Sequence, residues 1–177
     1  AFVHALTSAI TVYKITEACY NNDLGTYCGR DHYQGTINGH SVISPYNITV
    51  GKRFAQRFLD DRPLQVLTNQ SSSDWEKIQA QLQIHNNGAG RQVVHDNRQT
   101  TCICSGVSGS CTVKTCTTHM PSIFEIGDIM KTKQEEALKV VTVYEGSRIK
   151  LLLEQRTREG EGEPPATELI YMATPSN

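Results

Sequence analysis

Four cysteines and an intervening serine lie within sixteen residues, Thr101 to Cys116 (TCICSGVSGSCTVKTC). Thiols so close together can close disulfides or hold zinc. The run Gly106-Val107-Ser108-Gly109-Ser110 also loosely resembles a hydrolase nucleophile motif. Zinc fits poorly, because C-x-C and C-x4-C lie outside the usual finger spacings. Hydrolysis needs a base and an orienting acid beside the serine. His95 and His119 are candidates by residue type, but nothing in the sequence marks a triad. Alternation on either side of the tip predicts two short antiparallel strands, and the two glycines suit a turn. If the strands fold back on each other, Cys104 faces Cys111 and Cys102 faces Cys116. Bridging those pairs would make a nested, double-stapled hairpin with Ser108 at its end. A finger with almost no core depends on such staples for its shape.

Composition narrows the classes. The 177 residues, 38% hydrophobic and 20% charged, are ordinary for one globular domain. A net charge of −1 leaves no electrostatic footprint for nucleic acid or an anionic membrane. No apolar run reaches the roughly 18 residues a membrane span needs, so no transmembrane segment is expected. Ala1 to Ala18 carries His4, Lys14 and Glu17 and lacks a basic start. It reads as an amphipathic helix rather than a signal peptide. Six cysteines suit three disulfides, and Cys28 is close enough to Cys19 for a local loop-closing bridge. The sequons Asn47-Ile48-Thr49 and Asn69-Gln70-Ser71 point, with the cysteines, to an extracellular, secreted chain.

The elements that must position the finger are mostly helical. The spacing predicts a first helix over about 2–18, with Phe2, Leu6, Ala9 and Tyr13 inward and Val3, Ile10 and Val12 widening the stripe. Residues 29–49 show no periodicity and read as a loop. A second helix is expected over about 50–61, stopped by Pro63. Ser73 and Glu76 form a capping box opening a third helix that ends near Arg98 and turns Trp75, Ile78, Leu82, Ala89 and Val93 inward. Gly88 and Gly90 each cost that helix roughly 1 kcal/mol against alanine, which points to another backbone packed nearby. Ser122 and Glu125 cap a fourth helix containing Ile126, Ile129, Met130 and Ala137. Strands are expected over 140–144, 149–153 and 168–172. Trp75 reads as a core anchor, and His85 as a hydrogen-bonded structural residue rather than a metal ligand. The fold class is mainly α, a helical bundle with projecting disulfide-stapled β-hairpins.

Several segments together resemble the Wnt family of secreted signalling proteins. The hairpin C-x-C-x-G-x-SGSC-x-VKTC is similar to the family's own, and His85 to Val93 (HNNGAGRQV) resembles its HNN-x-AGR signature. Gly51 to Asp61 (GKRFAQRFLDD), Ala1 to Cys19 and Ile126-Gly127-Asp128 look like further family segments. Residues 1–177 would then be a single Wnt N-terminal-like domain without the family's C-terminal cysteine-rich domain. The resemblance implies the pairs Cys102–Cys116, Cys104–Cys111 and Cys19–Cys28. Arg30 and Ser44 stand where the family has one further cysteine pair.

The resemblance also implies a function. The serine matching Ser108 carries a monounsaturated fatty acyl ester in the family, and the acylated tip enters a groove on the cysteine-rich domain of a Frizzled-type receptor. Ser108, Val107, Gly106 and Gly109 would form that contact, with an LRP-type receptor as co-receptor. Independently of the resemblance, the sequons make Asn47 and Asn69 the expected glycan sites. No metal, no cofactor beyond the acyl group and no enzymatic activity are expected. Ser105 replaces a family histidine and Thr117-Thr118 a tryptophan-containing segment, which suggests a divergent arthropod member. A ligand acting through protein contacts without lipid, and a serine hydrolase, are the alternatives.

Overall fold

The computed structural model describes residues 1–28, 33–37, 40–44, 46–107, 110–111, 113–146, 148–154 and 162–173. Among the described residues four helices make the body: α1 (Phe2–Tyr20), α2 (Ile48–Thr68), α3 (Asp74–Asp96) and α4 (Ile123–Glu135). A 3-10 turn, Gly25–Cys28, follows α1. Strands β1 (Tyr33–Ile37), β2 (His40–Ser44), β3 (Gln99–Ser105) and β4 (Val113–His119) form one sheet, ordered β1-β2-β4-β3. Strands β5 (Leu138–Glu145), β6 (Arg148–Leu153) and β7 (Ile170–Tyr171) form a second, ordered β6-β5-β7. This is the expected architecture, helices with small hairpins projecting from them.

Small residues decide how the helices meet. The buried stripe of α1 is Ala5, Ser8, Ala9, Val12 and Thr16. The larger residues expected to lead it, Phe2, Leu6 and Tyr13, pack half-buried at the margin, and Val3 is 70% exposed. The reason lies opposite. A methyl group placed on Gly90 of α3 would stand 2.8 Å from the Ala5 Cα and closer still to its carbonyl. One placed on Gly51 of α2 would stand 2.7 Å from the Val12 carbonyl oxygen and would overlap the Thr16 hydroxyl. Backbones this close leave no room for a leucine between them. Behind the contact, Ala55, Ala89, Val93, Val94, Ile126, Met130 and Leu169 complete the main core.

A second cluster joins the first half of α3 to the second sheet. Ile78 and Leu82 meet Val140 and Ile170, with Leu138, Ile149, Leu151, Leu153 and Met172 around them. The β5–β6 register places Val140 opposite Leu153 and Thr142 opposite Leu151, so alternate residues face α3. Trp75, expected to anchor the core, is 49% exposed and belongs to neither cluster. It lies in the first turn of α3, beyond the end of the packed face.

Two expectations for local structure fail. Helix α2 does not stop before Pro63 but continues through it to Thr68, with Pro63 buried. The proline withholds one backbone donor, and packing of its ring into the body offsets part of that loss. Residues 29–49 are not one loop, because β1 and β2 pair antiparallel within them and β2 then pairs parallel with β4. Both capping boxes, Ser73 with Glu76 and Ser122 with Glu125, are present.

The two glycines of α3 separate packing from propensity. Gly90→Ala should lower stability by about 2–3 kcal/mol, since the Ala5 backbone cannot yield cheaply. Gly88→Ala, whose methyl would meet only the Arg91 guanidinium at 3.8 Å, should raise stability by up to about 1 kcal/mol. Urea unfolding of the oxidised proteins measures both. Equal effects at the two positions would remove the close-contact explanation.

Candidate functional site: the disulfide-stapled hairpin

β3 and β4 pair over seven residues each, from Gln99 opposite His119 at the root to Ser105 opposite Val113 near the tip. Cys102 and Cys116 are direct cross-strand partners with Cα atoms 4.0 Å apart, and they are joined by a disulfide. Cys104 lies opposite Lys114 in the ladder, yet its disulfide runs to Cys111, with Cα atoms 4.5 Å apart. The outer staple therefore fixes the strand register, while the inner one ties a strand to the tip segment. All four sulfurs are engaged in S–S bonds.

β3 faces solvent along most of its length. Cys116 and Thr118 are buried, but Ile103 is 68% exposed and Val107 91% exposed. The Ser110 N–H donates to the Val107 carbonyl at 3.4 Å across the tip. Gly106 is half-buried, and Ser108 and Gly109 fall outside the described residues. β2 covers the far edge of β4 through Ser41 opposite Thr115 and Val42 opposite Cys116. The root is held by aromatic contacts, with Tyr20 stacked on Tyr46 at 4.5 Å and Tyr46 edge-on to His119 at 6.4 Å. A third disulfide, Cys19–Cys28, pins the end of α1 to the 3-10 turn, and Asn47 Nδ2 donates to the Cys28 carbonyl at 3.3 Å.

Neither histidine considered as a catalytic base approaches the tip. His119 sits at the root, six strand positions from Val113, about 20 Å at the rise of a β-strand. His95 lies in the last turn of α3, its Nδ1 3.0 Å from Asp96 Oδ1 and its Nε2 facing Arg98 at 3.1 Å. Among the described residues no group of three or more His, Cys, Asp or Glu side chains could hold a metal ion.

The segment His85 to Arg91 clamps the body beneath the hairpin. His85 Nε2–H donates to the Glu168 carbonyl at 2.9 Å. The Asn86 amide takes the place of a neighbouring strand for Ile170, donating to its carbonyl at 3.1 Å and accepting from its N–H at 3.0 Å. Asn87 Nδ2 donates to Asp60 Oδ1 at 2.8 Å. Arg91 grips Asp60 with both terminal guanidinium nitrogens, at 3.2 and 2.8 Å, and the pair is buried. With Gly90 against Ala5, these residues bind α1, α2 and β7 to α3. The hairpin leaves from the far end of that helix.

The comparisons agree with this geometry. The family model described as the wnt family matches residues 1–177. The chain belongs to the Wnt family. It is 31% identical over 195 residues to Protein Wnt-2 of Drosophila melanogaster, covering 100% of this chain and 52% of that protein. It is 34% identical over 144 residues to human Protein Wnt-8a, covering 79% of this chain and 38% of that protein. A solved structure of human WLS in complex with WNT8A matches with a TM-score of 0.64 and 27% identity, over 97% of this chain and 49% of that chain. The chain thus spans about half the length, or less, of these relatives. Wnt family members are secreted signalling ligands. Among the described residues no helix is long and apolar enough to cross a membrane.

The segment His85 to Arg91 is thus scaffold, tying α2 and β7 to α3. Asp60→Ala strands the buried Arg91 charge and should cost about 3–5 kcal/mol. The double variant Asp60→Leu with Arg91→Met should recover much of that loss, because no charge remains buried without its partner. Unfolding midpoints in urea report both effects. A double variant no more stable than Asp60→Ala would contradict the pairing argument.

Proposed function

We propose that residues 1–177 form one N-terminal-type domain of a secreted Wnt ligand. Its hairpin tip around Ser108 engages the cysteine-rich domain of a Frizzled-class receptor. The observation that carries this reading is the stapled prong itself. Two disulfides within fifteen residues hold out a tip whose Val107 is almost fully exposed. Gly106, Val107, Ser108 and Gly109 form the contact surface, and an acyl ester on the Ser108 hydroxyl supplies its apolar bulk. Each buried methylene contributes about 0.8 kcal/mol. Ten of them outweigh much of the several kcal/mol lost on association.

A second reading has its own support. Ser105 departs from the family's tip chemistry, and Thr118 is buried with its hydroxyl 3.3 Å from that of Thr100. Ile103 and Val107 already offer exposed apolar surface without lipid. On this reading the same tip binds receptor through protein contacts alone.

Intact-mass analysis of secreted material, followed by receptor binding with Ser108→Ala and Val107→Asp, separates the two. The lipid reading expects an acyl-sized mass on the tip peptide and a loss of at least about 100-fold in affinity, some 2.8 kcal/mol, for Ser108→Ala. The protein-contact reading expects no added mass, near-normal affinity for Ser108→Ala and a loss for Val107→Asp. Full binding by both variants would remove the tip from the interface.

A further inference from the structure

The two glycosylation sequons occupy different structural settings. Asn47 is the N-cap of α2. Its Oδ1 accepts from the Val50 N–H and its Nδ2 donates to the Cys28 carbonyl, both at 3.3 Å. It is half-buried, wedged between the helix start and the disulfide-closed 3-10 turn. Asn69 caps the other end of α2 and is exposed, as are its neighbours Gln70 and Ser71. Its Oδ1 accepts from the Ser71 N–H at 3.0 Å, the hydrogen bond of an Asx turn. Its Nδ2 has no protein partner among the described residues.

We propose that the folded, secreted protein carries one N-linked glycan, on Asn69, and that Asn47 stays unmodified as a structural cap. This rests on the secretory reading above. In the transfer, Asn69 Nδ2 bonds to the anomeric carbon of an oligosaccharide carried on a polyprenyl pyrophosphate. The carbon–oxygen bond to the pyrophosphate breaks, its electron pair leaves with the pyrophosphate, and Nδ2 releases one proton to the medium. At Asn69 the sugar has open solvent before it. At Asn47, half-buried with Nδ2 3.3 Å from the Cys28 carbonyl, the sugar would crowd the contact between the 3-10 turn and the start of α2.

The choice of site also bears on the hairpin. Tyr46, next to Asn47, touches His119 at the hairpin root. A glycan on Asn47 would stand beside the β3–β4 sheet. Asn69 precedes the start of α3, whose 23 residues run about 35 Å before the hairpin begins. A glycan there shields the opposite end of the bundle and leaves the tip clear.

The test is to express the chain behind a cleavable signal peptide and treat the secreted protein with peptide N-glycosidase. Peptide mapping then locates each asparagine converted to aspartate. Thr49→Ala and Ser71→Ala each destroy one sequon while keeping its asparagine, and both hydroxyl residues are exposed. Conversion is expected at 69 only, retained in Thr49→Ala and lost in Ser71→Ala. Conversion at 47, a glycan surviving Ser71→Ala, or a secreted wild-type chain with no glycan would each overturn the proposal. Receptor binding is measured on the same material. Absent binding with the Asn69 glycan in place would refute the ligand reading and leave this one standing.

Discussion

At residue 90 the backbones of α1 and α3 touch, with the Ala5 carbonyl in the space a side chain would need. The same thing happens at residue 51, where α2 meets Val12 and Thr16. Packed helices ordinarily stand 8–10 Å apart, spaced by their side chains. Removing the side chain at the crossing lets α1 settle between its neighbours and fills the interior with backbone and small residues. This dictates the rest of the α1 sequence pattern. Positions facing the crossings are alanine, serine, valine or threonine, and the aromatic residues move to the edges. The cost is a helix α3 weakened by glycine, so it depends on tertiary contacts to stay formed.

Those contacts are apolar along most of α3, with a cluster of polar grips at its middle. Asp60 and Arg91 are a buried ion pair, and burying two charges is expensive. Here the cost is offset by bidentate geometry and by Asn87, which supplies a third donor to the same carboxylate. Such a pair adds little net stability against an apolar replacement, but it accepts only one rotation and one register of α2 on α3. The Asn86 amide likewise matches a single residue of β7, through both of its backbone groups. Close glycine crossings set how near the helices come, and the polar grips set where along their length they meet.

Much of this was legible from residue types. The capping boxes announced the starts of α3 and α4, because a serine three residues before a glutamate satisfies specific orphan N–H groups. The cysteine spacing and the alternation around it announced a stapled hairpin. The glycines of α3 announced a close neighbour, correctly at Gly90 and not at Gly88. Local pattern failed where the deciding contact was distant in sequence. The α1 stripe was misjudged because its large residues suggested a wide apolar face, and only Gly90 and Gly51, far along the chain, explain why small ones go inside. Pro63 suggested a helix stop, but a continuing helix packed its ring in the interior. The β1–β2 hairpin was missed for the same reason, since β2 is completed by β4 some seventy residues later. One local signal did exist, the dipeptide Asn38-Gly39 between the two strands, a favoured two-residue turn sequence. At the candidate site, the disulfide pairing was legible, but the offset by which Cys104 faces Lys114 rather than Cys111 was not.

The body and the prong are held by different physics, and the division has a functional consequence. Helices α1 to α4 bury an apolar core, and the Cys19–Cys28 disulfide lies at the end of α1. β3 is exposed along most of its length and β4 buries Cys116 and Thr118, so hydrophobic burial contributes little to ordering the pair. A bridge closing a loop of about fifteen residues removes roughly 3 kcal/mol of unfolded-chain entropy on the loop-closure account. That outer bridge, with the shorter Cys104–Cys111 bridge nested inside it at a sequence separation of 7, orders the strands before any partner arrives. A partner meeting this tip therefore loses less binding energy to ordering than it would with a free loop, and more of the contact made by Val107 and its neighbours is realised as affinity. The same staples make that gain depend on an oxidising compartment. A reduced chain could keep its helical body while its tip lost the shape a receptor would read.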